Sequence, residues 1–172
     1  MLYTIIYPSP LGDIMLAGTN SHLTGLWFKN QKYFMANLPE NAIPLENNDP
    51  LPHALSESRR WLNIYFSGIN PDFLPPLKLN GTPFQIEVWE ILKNIPYGQT
   101  MTYGEIASMI AKQRELSSMS AQAVGNAVGR NPISIIVPCH RVIGANGSLT
   151  GYAGGIERKC ALLNLEKIPY KF

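Results

Sequence analysis

The N-terminal part of the chain alternates short apolar runs with turn-forming residues. Runs rich in β-branched and aromatic side chains cover residues 2–7, 12–18 and 23–29, and Ser-Pro and Thr-Asn-Ser segments separate them. Such runs, bounded by turn formers, are typical of short antiparallel strands joined by tight turns. A helical period follows over residues 54–67, with apolar side chains on one face and Gly68 at its end. The pattern therefore predicts a three-stranded meander and one amphipathic helix.

A proline-rich segment separates this region from the rest of the chain. Proline makes up 14 of 172 residues, and four prolines fall within residues 70–83. Because proline removes a backbone donor and fixes φ, this segment is predicted to be an extended connector. We place the domain boundary here, with a supporting domain over residues 1–80 and a second domain over residues 81–172.

Helix signals follow the connector. Thr82 and Thr102 each stand three residues before a glutamine or glutamate, which is the pattern of a capping box at a helix start. A third short helix is predicted to follow Ser120, over residues 121–128. The last two helices resemble a helix-turn-helix, with a joint over residues 112–119 that is longer than a tight turn.

The third predicted helix is unusual in composition, because nearly every side chain between residues 121 and 129 is small. Small side chains allow close packing against a neighbouring element. They equally allow a helix to enter a narrow groove or to approach a backbone closely. The composition of the helix by itself leaves both interpretations open.

A cysteine and a histidine stand side by side after a β-branched run. Residues 133–137 are predicted to form a buried strand that leads into Pro138, Cys139 and His140. An imidazole can lower the pKa of a nearby thiol and so activate a nucleophile, whereas most lone cysteines are small buried hydrophobes. Neighbouring strand residues point to opposite faces, so a contact between these two side chains requires a bend or a bridging water. Cys139 is thus a candidate nucleophile with a structural alternative.

A glycine-rich segment and a closing helix complete the sequence. Five glycines fall within residues 144–155, which predicts a surface loop that can fold closely around a ligand. The glycine order of a phosphate-binding P-loop is absent. The closing helix is predicted over residues 156–166. Glu166 at its end is either a solvated carboxylate or the group that orients His140.

Composition narrows the classes of protein. Hydrophobic residues make up 45% of the chain and charged residues 15%, as in globular proteins. No apolar run approaches the roughly 20 residues that span a bilayer, and the N-terminus lacks a basic segment, so we expect a cytoplasmic protein with no membrane partner. The two cysteines, Cys139 and Cys160, exclude a disulfide scaffold and a four-cysteine zinc site, and we expect no metal.

Charge is distributed unevenly along the chain. Residues 1–81 carry five Lys/Arg against six Asp/Glu, a balance of −1, and residues 82–172 carry nine against six, a balance of +3. A mild basic excess of this kind permits nucleic-acid binding without requiring it.

The segment around Cys139 resembles a known family. Residues 131–144 read Asn-Pro-Ile-Ser-Ile-Ile-Val-Pro-Cys-His-Arg-Val-Ile-Gly. With residues 151–155 and 159–166, they closely resemble the O6-alkylguanine-DNA alkyltransferases, also called methylated-DNA–protein-cysteine methyltransferases. The resemblance is strong over residues 82–166 and implies an α+β fold of two domains. An N-terminal ribonuclease-H-like antiparallel sheet with a helix would support a mostly helical C-terminal domain, of winged-helix or helix-turn-helix type, that carries the active site.

The resemblance implies a DNA repair protein that consumes its own cysteine. Such proteins reverse O6-alkylguanine, and less readily O4-alkylthymine, by transferring the alkyl group to a cysteine that matches Cys139. Nothing in the site can hydrolyse the thioether product, so one molecule repairs one lesion. His140 matches the base that acts through a water, Glu166 the carboxylate that orients it, and Asn131 the asparagine that braces the turn. The resemblance implies no cofactor and no obligate protein partner.

The resemblance also implies that the chain binds double-stranded DNA carrying O6-alkylguanine in the minor groove and flips the damaged base out of the duplex. The DNA-binding positions match Ala121, Gln122 and Ala123 on the third predicted helix. Many family members have an arginine at the position of Gln122, so we expect weaker DNA binding here. The positions around the substrate base match Tyr103, Val142, Tyr152, Ala153 and Lys159.

Two other functions are compatible with parts of the sequence. Alkyltransferase-like proteins share the scaffold and bind damaged DNA without reacting, but they lack the cysteine that Cys139 supplies. A Cys-His hydrolase would require a spaced set of histidine and asparagine or aspartate, which the sequence does not show. His22 and His53 fall in the predicted first domain and are expected to be surface or structural residues.

Overall fold

The computed structural model, which describes residues 1–172, divides the chain into two units. The first unit contains Met1–Asn80 and Pro132–Ser134. The second unit contains Gly81–Asn131 and Ile135–Phe172. Each unit is described separately below.

The first unit is built on a four-stranded sheet. Its strands are β1 (Tyr3–Ser9), β2 (Gly12–Gly18), β3 (Leu23–Phe28) and β4 (Ile43–Pro44), in the spatial order β3-β2-β1-β4. The first three strands pair antiparallel, which confirms the predicted meander, and the short β4 pairs in parallel with β1. Alternate residues of the central and edge strands, among them Ile14, Leu16, Leu26 and Phe28, are fully buried, so one face of the sheet forms the core of this unit.

Two distant segments pair with β3. The N–H of Leu23 donates to the carbonyl of Pro76 (2.8 Å), so part of the connector runs as extended chain beside this strand. Leu26 donates to the carbonyl of Pro132 (2.8 Å) and accepts from the N–H of Ser134 (2.9 Å). These two bonds explain why a three-residue segment from the C-terminal half belongs to the first unit, which the expected boundary after residue 80 does not anticipate.

One helix packs on the sheet of the first unit. α1 (His53–Phe66) contacts β2 and β3 and buries Leu55, Leu62 and Tyr65 completely. Pro52 at its N-terminus supplies no capping side chain, and Asn20, from the turn between β2 and β3, accepts the N–H of His53 instead (3.1 Å). The observed helix lies one residue earlier than the predicted one at each end.

The second unit is mainly helical. Its elements are α2 (Pro83–Lys93), β5 (Met101–Thr102), α3 (Tyr103–Gln113), α4 (Ala121–Gly129), β6 (Val142–Ile143) and α5 (Ile156–Leu165), and β5 pairs in parallel with β6. Thr82 and Thr102 both form complete capping boxes, as the sequence predicts, and the Ser120 side chain caps α4. No helix of the protein has the length and apolar character needed to cross a bilayer.

The joint between α3 and α4 is anchored at its first residue. Arg114, which ends α3, donates to the carboxylate of Glu87 on α2 (2.6 Å). Glu115 follows with a φ of 56°, and the N–H of Leu116 returns to the carbonyl of Ala111 (2.8 Å). The joint therefore begins with a helix-ending turn that an ion pair ties to α2.

Residues 133–137 are buried, but they do not form the predicted strand. Ile133 makes one isolated bridge with Leu26, and the chain then turns, with Ile135 at a φ of 68°. The side-chain amide of Asn131 donates to the carbonyl of Val137 (2.7 Å) and closes this turn. The apolar side chains correctly predict that this segment is buried. The turn could not be predicted from its hydrophobic pattern, because the hydrogen bond that closes the turn comes from Asn131, which lies outside the segment.

Candidate active site

Cys139 begins a tight turn and not a strand end. Residues Cys139–Arg141 form a single 3-10 turn that follows Pro138. The N–H of Cys139 donates to the carbonyl of Val137 (2.8 Å), the same carbonyl that accepts the Asn131 amide. These two hydrogen bonds to the Val137 carbonyl thus hold the chain around Pro138. The exposed fraction of Cys139 is only 4%.

The Cys139 thiol is buried close to several polar side chains. Burial raises the pKa of the thiol above its ordinary value, because a thiolate loses its hydration there. The neighbouring Asn131 side chain, the positive charge of Lys159 and the Tyr152 hydroxyl each favour the thiolate and lower the pKa. The net pKa remains raised, so the thiol holds its proton at neutral pH and requires a base to form the thiolate.

His140 and Glu166 form a pair that is fully shielded from solvent. The Nε2 atom of His140 lies 2.5 Å from Oε2 of Glu166, and both side chains have 0% exposure. Burial lowers the pKa of His140 below its ordinary value, although the Glu166 carboxylate opposes this effect. The imidazole is therefore neutral at neutral pH. Because Nε2 carries the proton that it donates to the carboxylate, Nδ1 carries the lone pair.

Glu166 is ionised despite its burial. Burial by itself would raise the pKa of this carboxyl group, but hydrogen bonding to His140, the charge of Arg141 and the N–H of Gly98 lower it to about 2. The N–H of Gly98 lies 3.0 Å from Oε1. The carboxylate therefore keeps its negative charge, and its hold on His140, at every pH near neutrality.

Arg141 is a functional residue that the sequence reasoning missed. Its Nε donates to Oε1 of Glu166 (2.8 Å), and a terminal guanidinium nitrogen donates to the carbonyl of Ile95 (2.7 Å). The guanidinium also lies 5.7 Å from the ring centroid of Tyr97. Arg141 therefore neutralises the buried carboxylate and fixes its orientation. Its place in the Pro-Cys-His-Arg motif is the signal that could have drawn attention to it.

Lys159 lies in the protein interior beside the thiol. The side chain is 0% exposed, and its Nζ donates to the carbonyl of Val142 (2.6 Å). Burial lowers the pKa of Lys159 to about 8, and Cys139 and Cys160, whose thiolate forms would favour the ammonium, act in the opposite direction. At neutral pH the ammonium group is mainly protonated, so it places a positive charge close to the nucleophile.

Tyr103 connects three parts of the second unit. It is the first residue of α3, and its hydroxyl accepts a hydrogen bond from Oγ1 of Thr150 (2.9 Å). A Cβ atom added to Gly125 on α4 would lie 3.7 Å from the Tyr103 ring, so this helix lies directly against the tyrosine. Burial raises the pKa of the phenol. Thr150 is the second contact that the sequence reasoning missed.

α4 presents mostly small side chains to solvent. Ala121 and Gln122 are exposed, Ala123 is partly buried, and the opposite side of the helix packs into the unit through Val124 and Val128. The indole N–H of Trp89 on α2 donates to the carbonyl of Ala127 (2.8 Å), which fixes the end of the helix.

The structure gathers most of the predicted site residues into one region. Asn131, Tyr152 and Lys159 act directly on Cys139, and Glu166 holds the neighbouring His140. Val142 accepts from Lys159, and Tyr103 lies close enough for its pKa to respond to Cys139. The remaining four are Ala153, which is partly buried in the glycine-rich loop, and Ala121, Gln122 and Ala123 on α4.

A helix pair with an exposed small-residue surface and a buried cysteine next to a histidine–glutamate pair is the arrangement expected of a DNA-binding protein with a nucleophilic thiol. Two family models match the chain. The model for the DNA binding domain of 6-O-methylguanine DNA methyltransferase matches residues 83–168, and the model for its ribonuclease-like domain matches residues 1–79. The chain belongs to the 6-O-methylguanine DNA methyltransferase family.

Similar proteins cover nearly the whole chain. A methylated-DNA–protein-cysteine methyltransferase of Mycobacterium tuberculosis is 48% identical over 168 residues, which are 97% of this chain and 93% of that protein. A constitutive methylated-DNA–protein-cysteine methyltransferase of Bacillus subtilis is 39% identical over 172 residues, 99% of each chain. The crystal structure of M. tuberculosis OGT in complex with DNA matches with a TM-score of 0.81 at 47% identity, over 96% of this chain and 92% of the other.

Proposed function

We propose that this protein repairs O6-alkylguanine in double-stranded DNA by transferring the alkyl group to Sγ of its own Cys139, and that it acts less readily on O4-alkylthymine. One observation carries the proposal: Cys139 is buried beside a neutral histidine whose far nitrogen is held by an ionised glutamate. The relatives are named methylated-DNA–protein-cysteine methyltransferases, which describes methyl transfer from DNA to a protein cysteine.

The transfer is a displacement at carbon. The Cys139 thiolate forms a bond to the alkyl carbon, the bond from that carbon to O6 breaks, and its electron pair leaves with the guanine. The product is a thioether, and no group in the site is placed to hydrolyse it. Each protein molecule therefore reacts once, and the reaction requires no cofactor.

The proton of the thiol leaves through His140. Because Nε2 donates to Glu166, the lone pair on Nδ1 accepts the thiol proton through a bridging water, which overcomes the separation of two consecutive side chains. Asn131 braces the turn that carries Cys139, since its amide holds the carbonyl of Val137. The positive charge of Lys159 stabilises the thiolate once it has formed.

The alkylated base must leave the duplex to reach a buried thiol. α4 enters the minor groove through the side that carries Ala121, Gln122 and Ala123, where small side chains allow close approach. Gln122 fills the space of the flipped base and hydrogen-bonds to its orphaned partner, but it brings no charge. The basic balance of residues 82–172 provides a modest grip on the phosphates.

The substrate base lies among residues from three segments. Val142 and Tyr152 form walls of the pocket, and the backbone N–H of Ala153 donates to the alkylated oxygen. Because the Tyr103 hydroxyl accepts from Thr150, its own proton is available to the departing guanine. Residues 81–172 thus carry the reaction, and residues 1–80 support them. The two free thiols are consistent with a reducing, cytoplasmic location.

The proposal is tested by the stoichiometry of transfer. The protein is incubated with an excess of a duplex that carries a single O6-methylguanine labelled in its methyl group. The control is the same duplex with ordinary guanine at that position. We expect the label on the protein to rise to one methyl group per molecule and then stop. Continued turnover would favour a hydrolase, and binding without transfer would favour a non-catalytic damage-binding module.

A further inference from the structure

The last residues of the chain leave α5 through a defined turn. Lys167 donates its N–H to the carbonyl of Asn164 (3.0 Å), and the N–H of Ile168 returns to the carbonyl of Leu163 (2.9 Å). With a φ of 59° at Lys167, these bonds form a Schellman motif, and Ile168 is buried. The direction of the C-terminal tail (residues 169–172) is therefore fixed at its start.

The tail pairs with the glycine-rich loop of the active site (residues 144–155, the pocket loop). The carbonyl of Lys171 accepts the N–H of Leu149 (2.8 Å), and the N–H of Lys171 donates to the carbonyl of Gly147 (3.1 Å). Ser148 and Lys171 form a parallel bridge. Both bonds use the main chain of Lys171, so the pairing does not depend on its side chain.

The pocket loop is connected to the substrate site on its other side. Its first part folds back, because the N–H of Gly144 donates to the carbonyl of Ser148 (2.8 Å), and a Cβ on Gly144 would lie 2.7 Å from the Ser148 hydroxyl. Two residues further on, Thr150 donates to the Tyr103 hydroxyl (2.9 Å). The tail and Tyr103 thus hold the same short stretch from two directions.

We propose that the C-terminal tail is a positioning element for the pocket loop and acts through the main chain of Lys171. The inference rests on the function proposed above, in which Tyr103, Tyr152 and Ala153 surround the substrate base. A loop with five glycines loses much conformational entropy when it orders around a ligand. Two backbone hydrogen bonds restrict the loop before the base arrives, so less of this entropy is lost when the flipped base is placed for reaction in DNA that is already bound.

The test compares Lys171→Pro, which removes the N–H bonded to Gly147, with Lys171→Ala, which keeps it. A variant that lacks residues 169–172 removes both bonds. Single-turnover rates are measured against the concentration of a duplex with one O6-methylguanine. We expect the rate at saturating duplex to fall about tenfold for the proline variant and the truncation, with half-saturation within about twofold of wild type, because the error lies in base placement and not in DNA binding. Lys171→Ala should match wild type.

Two further measurements separate loop positioning from damage to the site or failure of the proposed function. Iodoacetamide should alkylate Cys139 at the wild-type rate in all variants. If alkylation slowed as much as repair does, the inference would be overturned. Hydrogen exchange at the Leu149 amide requires no alkyl transfer, and its protection should fall in the truncation. An unchanged amide, or an unchanged saturating rate in both tail variants, would overturn the inference. A wild-type protein that takes up no methyl group would instead overturn the proposed function and, with it, the tail's role in repair.

Discussion

Glu166 holds His140 with a distance of 2.5 Å between Oε2 and Nε2, and solvent reaches neither side chain. The same carboxylate accepts from Arg141 and from the N–H of Gly98 through its other oxygen. The buried carboxylate of Glu166 therefore orients the imidazole of His140, balances the positive charge of Arg141 and ties the turn at residues 139–141 to Gly98. Under the proposed mechanism, the reactivity of Cys139 and the stability of the second unit should therefore depend on the same group.

Removal of the Glu166 charge should destabilise the protein in a pH-dependent way. The pKa of Glu166 is lowered from 4.5 to about 2, so its ionised form contributes on the order of 3 kcal/mol to the free energy of unfolding. This contribution is fully present above about pH 4.5 and is lost as the pH falls toward 2, because the unfolded state then binds the proton first. Urea unfolding of Glu166→Gln should show a deficit of this order at pH 7 that shrinks by pH 3.

Glu90→Gln is the matched control for this measurement. Glu90 makes an exposed ion pair with Lys93 (3.2 Å), and exposed pairs contribute about 0–1 kcal/mol. Its unfolding free energy should stay near that of wild type at both pH values. A Glu166→Gln deficit that is the same at pH 7 and pH 3 would show that the loss comes from packing and not from the charge.

Replacement of His140 should slow the reaction more than it weakens DNA binding. His140→Gln keeps a hydrogen-bonding side chain but removes the base, and a general base typically contributes about 10²–10⁴ in rate. Alkylation of Cys139 by iodoacetamide at neutral pH should also slow, because burial raises the pKa of the thiol and no base is then left to accept its proton. His53→Gln, at an exposed position of the first unit, should behave as wild type. Equal loss of binding and rate in His140→Gln would contradict a role in proton transfer.

The helix starts and the buried segments could be predicted because their signals are local. Thr82, Thr102 and Ser120 cap the helices that follow them, and each cap is readable within four residues of sequence. The conformation of residues 133–137 could not be predicted, since it depends on the Asn131 amide and on pairing with Leu26, more than 100 residues away.

The same distinction holds for the site. Cys139 and His140 are visible in the motif itself, and Glu166 was predicted from the family resemblance. The contacts of Arg141 were not predictable, because its partners Ile95 and Glu166 lie 46 and 25 residues away. The tertiary fold determines which groups form a buried ion pair of this kind. The short motif that contains Arg141 therefore does not indicate which residue the arginine pairs with.

Lys159 should give the stability of the protein an alkaline pH dependence. Its pKa is lowered from 10.5 to about 8, so the folded state binds fewer protons than the unfolded state between these values. Stability relative to Lys159→Met should therefore rise as the pH increases from 8 to 10.5. The comparison is made in a Cys139→Ser background, which removes the opposing titration of the thiol. A flat difference between the two proteins across this range would contradict the depressed pKa of Lys159.

We expect Gln122 to give weaker DNA binding than an arginine at the same position. An arginine at this position adds a cation at the exposed start of α4, so Gln122→Arg should bind undamaged duplex more tightly and make the slope of log K against log salt steeper by about one. This variant should also repair faster, since the arginine side chain would occupy the space that the flipped base leaves in the duplex. Asn126→Arg adds the same charge one helical turn away and should increase affinity without increasing the repair rate. No gain in affinity or rate for Gln122→Arg would contradict this role.

The most direct test of the account is the mass of one peptide. Trypsin cleaves after Arg130 and Arg141, so residues 131–141 form a single fragment that contains Cys139 but not Cys160. After incubation with duplex carrying O6-methylguanine, this fragment should gain one methyl group in wild type and in Cys160→Ser, and none in Cys139→Ala, which should still bind the duplex. Methyl transfer that survives in Cys139→Ala, or a methyl group found on any other peptide, would contradict the assignment of Cys139 as the acceptor.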